Sequence, residues 1–412
     1  MVYRSAMDTL DTLTLPHLAM DQPSFAADPL PRFAEARGVH PWLARSNFGL
    51  VVHEFTAMRE LFRMDDKLRP SYDGIVDLLD GRGTPWGRFT EEQIIGLPDE
   101  DHDRLRGIFA PRFTPRYANG MRGMMQETIS ALLDEWAPKG AFDFEDFAAQ
   151  FPIRVMFRLV GAPVEEVSSI IWALETHGLA FGMNKDIMPE VQKAVECEDA
   201  FVQRLVAERR ANPHGPDEQD LLDLMLEAQA EGGISDRELL DMLIFIFVAG
   251  YDTSKNVLTF MMYLMTQYPE HYRRCAEDLE FCRKCVEETL RFYNPGTTFR
   301  FVNEDMVYRD VMLPKDTMLF FPLSVSGRDP DTFERAETFD PERPVDGNKR
   351  HIAFGLGKHI CLGQYIARAQ LQEGLHLIAQ RIREPKTTGP KGWRPFFGVW
   401  GIKGLSIEFT PG

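Results

Sequence analysis

Phe354-Gly355-Leu356-Gly357-Lys358-His359-Ile360-Cys361-Leu362-Gly363 decides the reading of this chain. It sets one cysteine in a glycine-punctuated loop, directly ahead of a helical pattern. Gly355 and Gly357 permit backbone angles and close approaches that a Cβ would forbid. Gly363, two residues past the cysteine, leaves room for a flat ligand against the backbone. A thiolate at a helix start is stabilised by the unpaired N–H groups there. The stretch therefore offers a soft, anionic sulfur, ringed by donors, to a large planar group. The plainer alternative is an ordinary buried cysteine in a glycine-rich loop, so the context must agree.

Working outward, the chain has 412 residues, 44% hydrophobic and 26% charged, enough for a globular enzyme that buries a large ligand. The net charge of −17 argues for solubility and against nucleic-acid or anionic-membrane partners. Met1 to Met20 has no basic region followed by an apolar core, and the longest apolar run, Met242 to Gly250, is far short of a membrane span. The five cysteines, Cys197, Cys275, Cys282, Cys285 and Cys361, are an odd, sparse set, which points to a reducing cytoplasm. Cys282 and Cys285 form a Cys-x-x-Cys without a second ligand pair for zinc. They read as structural thiols in a helix, with redox chemistry the weaker alternative.

Helical periods dominate the middle of the chain. They cover Glu54–Phe62, Asp99–Phe113, Tyr117–Trp136, Phe144–Val160, Val164–Gly182, Pro189–Ala211, Asp217–Glu231, Ser235–Thr266 and Pro269–Tyr293, with a last helix from about Cys361 to Arg383. Ser235 with Glu238 marks a capping box, and Asn212 to Pro216 marks a break. Strand signals fall at Phe48–Val52, in alternating pieces over Phe299–Phe321, and in a hairpin-like tail over Phe396–Phe409. Residues 69–97 read as loop or short helices, and 327–360 as a long irregular stretch.

Other constellations stand apart from the cysteine loop. Ala249-Gly250-Tyr251-Asp252-Thr253 puts a glycine, an acid and an alcohol inside the longest helix. The Thr253 hydroxyl can bond back to the Ala249 carbonyl and open the helix locally. Glu288 and Arg291, at i, i+3, share a helix face and can pair. His102 and Arg106 share another face at i, i+4. On the Thr253 face lie Phe245, Val248 and Ala249, mostly apolar.

Phe354, Gly357, His359, Cys361 and Gly363 fill every specified position of the haem-binding signature Phe-x-x-Gly-x-His/Arg-x-Cys-x-Gly, so the chain resembles the cytochrome P450 family. The resemblance is extended from about residue 98 onward and diffuse before it. It implies a mainly α fold, a large helical part (about 98–412) with a smaller β-rich region (about 20–97), in one domain over 1–412. It implies haem b as cofactor, with Cys361 as axial ligand to the iron and Phe354, Gly355, Gly363, Ala249 and Gly250 beside it. His102, Arg106, Arg300 and His359 resemble the family's propionate partners. Asp252 and Thr253 resemble its acid–alcohol pair, which relays protons at a kink in the long helix. Arg343 stands where an arginine joins the buried Glu288–Arg291 pair. Gly296, Thr297, Thr298, Val399 and Trp400 would complete an apolar substrate pocket with Phe245, Val248 and Ala249. The implied activity is monooxygenation of an apolar small molecule. Electrons would come from a separate ferredoxin and ferredoxin reductase, docking on Arg104, Arg112, Arg116 and Lys358. A peroxide-driven peroxygenase and a non-catalytic haem-thiolate sensor are the alternatives. The retained Asp252–Thr253 pair argues against the first, and the lack of a visible output module against the second.

Overall fold

The computed structural model describes residues 9–215, 218–345 and 347–412. Met1 to Asp8, and the expected break end and helix start at Pro216 and Asp217, lie outside the described residues.

Strands from distant parts of the chain meet in one five-stranded sheet. They are β1 Leu43–Arg45, β2 Leu50–Val52, β3 Leu68–Arg69, β4 Thr297–Val302 and β5 Met318–Pro322, in the order β1-β2-β5-β4-β3. β2 runs parallel to β5, with Leu50 opposite Leu319, and the other pairings are antiparallel. One side of the sheet buries Leu43, Val52, Phe55, Val302, Leu319 and Phe321 in a compact apolar cluster. The two ends of the chain thus supply the β-rich part, while the middle supplies helices.

Nine helices position the site: α1 Pro85–Glu92, α2 Asp99–Phe109, α3 Phe144–Val160, α4 Val167–Leu179, α5 Met188–Ala211, α6 Asp236–Gln267, α7 Pro269–Glu277, α8 Leu279–Phe292 and α9 Gln364–Arg381. α6 starts at a capping box: the Ser235 hydroxyl accepts from the Glu238 N–H, and the Glu238 carboxylate accepts from the Ser235 N–H. Its 32 residues are apolar on most faces and largely buried, with α3, α4, α5 and α8 against it. A Cβ on Gly250 would sit 2.5 Å from the Met156 sulfur of α3. That glycine is what lets α3 and α6 approach closely.

Several expected helix boundaries differ. Pro269–Tyr293 is two helices, because Asp278 leaves the helical conformation (φ −129°) and its carboxylate caps α8 by accepting from the Phe281 N–H at 3.0 Å. The last helix begins at Gln364, since the loop continues to its N-cap at Gly363. Residues 69–97 hold short helices, as expected, among them Asp73–Leu78 and α1, the latter started by Thr84, whose hydroxyl accepts from the Gly87 N–H. The tail folds back as expected. Gly392–Trp393 pairs with Ile402–Lys403, and Ser406–Pro411 pairs with Ile382–Thr387. Among the described residues no helix is long and apolar enough to cross a membrane.

Candidate active site

The cysteine loop closes on itself before α9. The Cys361 N–H donates to the Phe354 carbonyl at 2.9 Å, and Gly355 (φ +70°) and Gly357 (φ +73°) make its two left-handed bends. A Cβ on Gly357 would lie 2.6 Å from the Phe62 carbonyl oxygen, so the close approach demands glycine there. The Arg368 guanidinium lies over the Phe354 ring at 4.4 Å, fixing the loop to α9. Cys361 is exposed, yet burial is the main influence on its thiol and pushes it up. The two facts fit a sulfur on the floor of an internal recess, crowded by protein but open on one side. The Gly363 and Gln364 N–H groups, Arg106 and Arg368 oppose the shift without reversing it. The expected thiolate therefore does not follow from the loop alone. Metal coordination, which deprotonates a thiol outright, would have to complete it.

Around this recess four cationic or donor side chains gather from three segments. His102 and Arg106 project from α2, Arg300 from β4, and His359 from the loop. The His102 and His359 rings lie 4.1 Å apart. Burial, then the charges of His102, Arg300, Lys358 and Arg106, push His359 down to about 3, so it is neutral near pH 7. Its Nδ1 is buried without a partner. The nearly buried Arg300 donates to the Phe299 carbonyl at 2.7 Å and to the Thr298 hydroxyl at 3.4 Å, and makes no ion pair among the described residues. Arg106 donates to the Ile360 carbonyl at 2.7 Å. A buried guanidinium without a counter-ion is costly. Two carboxylates placed here would relieve it. An open sulfur, a glycine flank at Gly363, and a carboxylate-deficient cationic cluster fit a haem with its propionates.

α6 presents one stripe that is not buried: Phe245 and Val248 half-buried, Ala249 and Thr253 exposed. The Thr253 hydroxyl donates to the Ala249 carbonyl at 2.9 Å, as the spacing suggests. The helix nevertheless runs through without a break, so the expected local opening reduces to this one hydroxyl bond. The bare side of Gly250 meets α3, where it serves helix packing, while the residue stays partly exposed beside Ala249.

Asp252 points away from Thr253 into a buried charge network absent from the sequence reading. Its carboxylate accepts from Arg394 at 2.9 Å and from Asn256 at 3.1 Å, with the Lys255 ammonium 3.6 Å away. Lys255, fully buried, lies 2.8 Å from Glu175 on α4 and 3.5 Å from Glu145 on α3. The Tyr251 hydroxyl also donates to Glu175, at 2.9 Å. Burial pushes the Glu175 carboxyl up, but Lys255, Tyr251 and Arg394 together more than offset this and leave it below the usual range. A lysine inside an apolar helix, three residues past an acid, was the available signal for Lys255. Arg394, in the tail, carried none.

The opposite wall forms where the tail meets β4. Gly296 bridges to Val399, the Thr297 N–H donates to the Gly398 carbonyl at 3.0 Å, and Gly296, Thr297, Thr298 and Val399 are all half-buried. Trp400 is a correction. Its indole N–H donates to the Ala26 carbonyl at 2.9 Å and its ring stacks on Trp393 at 5.4 Å, so it is core, not pocket wall. Behind the loop, the buried Glu288 grips Arg291 with both oxygens, at 2.7 and 2.8 Å. Arg291 also donates to the Gly327, Ala336 and Thr338 carbonyls. Arg343 stands 3.5 Å from Glu288 and is held more by the Arg335 and Thr338 carbonyls. Of the expected basic patch, Arg104 pairs with Asp101 and Glu238, and Lys358 with Asp99 and Asp103. Among the described residues Arg112 lies over the Tyr117 ring without an ion pair, and Arg116 is exposed. The four cations therefore do not act as one free patch; two are already neutralised.

Comparison with known proteins agrees with this geometry. Residues 85–384 match the family model described as Cytochrome P450. The luteothin monooxygenase of Streptomyces thioluteus is 32% identical over 403 residues, 96% of each chain. The polyketide biosynthesis cytochrome P450 PksS of Bacillus subtilis (strain 168) is 29% identical over 330 residues, 78% of this chain and 79% of that one. The solved structure of epothilone D-bound cytochrome P450epoK is similar with a TM-score of 0.84 at 25% identity, covering 96% of this chain and 99% of that one.

Proposed function

The chain belongs to the cytochrome P450 family, whose relatives here are monooxygenases, and from that premise we propose the finer activity. It inserts one oxygen atom from dioxygen into a large, apolar, polyketide-like substrate, with electrons from a separate ferredoxin and its reductase. The cofactor would be haem b, its iron held by the Cys361 sulfur and its propionates by His102, Arg106, Arg300 and His359, and it would supply dioxygen activation and oxygen-atom transfer. The chain does the rest. Arg300 and Arg106 neutralise the propionates, and His359, being neutral, donates a hydrogen bond. Phe245, Val248 and Ala249 exclude water from the substrate side. Thr253 Oγ1 holds a proton at the recess. Asp252 is the acid that resupplies it, after exchanging its hold on Arg394 for a water or for Thr253. The apolar stripe of α6 and the names of the related luteothin and polyketide enzymes support the substrate class.

One observation carries this reading: an open sulfur beside a buried cationic cluster short of carboxylates. Reduced protein with carbon monoxide should give the red-shifted Soret band of a thiolate-ligated iron, and Cys361→Ser should abolish it. An unchanged band in that variant would assign the ligand elsewhere. Titration with polyketide-like and with small polar compounds, read by the haem spin-state change, tests the substrate class. A response to the polar set alone would refute it.

A further inference from the structure

Three buried thiols lie together where α7, α8 and α9 meet, remote in role from the haem ligand. Cys275 is on α7; Cys282 and Cys285, at i, i+3, share the face of α8 turned towards it. All three are fully buried. The Cys275 and Cys285 sulfurs stand 3.6 Å apart, and the Cys282 thiol donates to the Cys275 carbonyl oxygen at 3.1 Å. From α9, His376 bonds the same carbonyl at 2.8 Å. The cluster does not gather as a metal site would. Among the described residues the group whose ligand atoms all lie within 4.8 Å of one another is His214, Asp220 and Asp223, and two of those carboxylates already hold Arg209. Sulfur-to-sulfur contact between two helices, with a third thiol beside it, suits a different chemistry.

We propose that Cys275 and Cys285 are a peroxide-oxidised thiol pair that forms a reversible disulfide between α7 and α8. The neighbouring Cys282 and Cys285 thiols pull Cys275 below the ordinary thiol value, against burial, while Cys282 and Cys285 are pushed up. Of the two sulfurs in contact, Cys275 is the one whose ionisation its neighbours favour, and we take it as the attacking sulfur. Its sulfur attacks hydrogen peroxide, the O–O bond breaks, and Cys275 becomes a sulfenic acid as hydroxide leaves. The Cys285 sulfur then displaces that oxygen as water, forming the S–S bond. In sum two thiols and one peroxide give one disulfide and two waters; the sulfurs lose two electrons and the peroxide gains them. The sulfurs need to close only from 3.6 Å to about 2 Å. On the monooxygenase reading, peroxide arises within the same molecule whenever turnover fails to couple. Cys285 lies one turn before Glu288, so the bond would form beside the ion pair that secures the cysteine loop.

The test is a peptide map of the haem-loaded protein after graded hydrogen peroxide, alkylated at once and digested with trypsin and a glutamate-specific protease. Cleavage after Arg274, Glu277, Glu280, Arg283 and Lys284 leaves each of the three cysteines on its own peptide in the unaltered chain. The expected product is a cross-link between the Cys275 and Cys285 peptides, two hydrogens lighter than their sum, that dithiothreitol reverses. A cross-link from Cys282 to Cys285, or irreversible oxidation of Cys275 without a link, would overturn the proposal. So would unmodified thiols at peroxide levels that oxidise the less buried Cys197. The map needs no turnover, so its failure leaves the monooxygenase reading standing. Failure of the carbon monoxide spectrum would likewise leave the thiol pair standing.

Discussion

The proton handling proposed above falls to two side chains that are neighbours in sequence but face different surroundings. The Thr253 side chain is exposed and is tied to its own helix through the Ala249 carbonyl. Its loss should cost little stability, and Thr253→Ala should consume NAD(P)H at near-parent rates while diverting it to hydrogen peroxide. Product per NAD(P)H, with peroxide measured alongside, checks this; full coupling would remove Thr253 from the reaction. Asp252 is different, because its carboxylate is buried against Arg394. Asp252→Asn should slow turnover by about 10²-fold or more, on the usual scale of an acid–base group. It should also destabilise the fold by roughly 3–5 kcal/mol, the scale for a buried charge left unpaired. The double variant Asp252→Asn/Arg394→Met should recover stability in urea without recovering rate; recovery of both would make the acid purely structural. What was legible at this scale was local. Thr253 with Ala249, Glu288 with Arg291, and the cysteine loop are set by spacings of two to four residues. Arg394 reaches Asp252 across 142 positions, which no periodicity reveals. Trp400 was misplaced for the converse reason: its neighbours in sequence line the wall, but its own indole finds Ala26 at the far end of the chain.

Elements were legible where the period was long and the caps strong. α3 starts and ends where its apolar pattern does, and α6 begins at the capping box that Ser235 and Glu238 announce. Boundaries failed where one side chain overrode a continuous helical period, as Asp278 does between α7 and α8. The sheet was hardest, since its register joins Leu50 to Leu319, and such pairings depend on the whole chain. The contact between α8 and α9 has a pH signature. Burial pushes the Glu287 carboxyl of α8 up, but hydrogen bonds from His351 and from Arg368 of α9 outweigh it and bring it down to about 2. The folded value lies below the unfolded one, so the contribution is complete above about pH 4.5 and is lost as pH falls towards 2. The shift corresponds to ~3 kcal/mol at most. Glu287→Gln should therefore flatten the acid limb of the stability curve between pH 5 and 3 and leave its slope above pH 6 unchanged. Urea unfolding across that range decides it; parallel curves for variant and parent would mean the carboxylate contributes nothing. Behind the same loop, Glu288→Ala leaves the buried Arg291 without its counter-ion and should cost about 3–5 kcal/mol. Little haem-loaded protein should be recovered, and a normal yield would reduce the pair to a dispensable contact.

At the scale of the whole molecule, 63 acidic residues against 46 Lys and Arg give a net charge of −17, and an acidic electron donor would meet repulsion at long range. On the proposed reduction by a ferredoxin, productive docking would depend on a local reversal of sign near the cysteine loop, within the Debye length of about 8 Å at physiological salt. The sequence suggested four cations for it, but Lys358 and Arg104 are already neutralised by Asp99, Asp103, Asp101 and Glu238. That leaves Arg112 and Arg116, just beyond α2, to carry the attraction. An exposed ion pair is worth up to about 1 kcal/mol, or roughly fivefold in affinity. Arg112→Glu removes one such pair and adds a repulsion, so ferredoxin-driven reduction should fall by about tenfold at low salt. The difference should shrink as salt rises, because screening weakens the parent's attraction and the variant's repulsion alike. Substrate titration should be unchanged, since Arg112 is not among the apolar residues proposed to line the substrate side. Lys358→Ala should have a smaller effect than Arg112→Ala, its charge being spent on Asp99 and Asp103. Stopped-flow reduction of both variants across a salt series separates the possibilities. Equal rates for Arg112→Glu and parent at every salt concentration would move the docking surface elsewhere. A larger loss for Lys358→Ala would mean that its ion pairs open when the partner arrives.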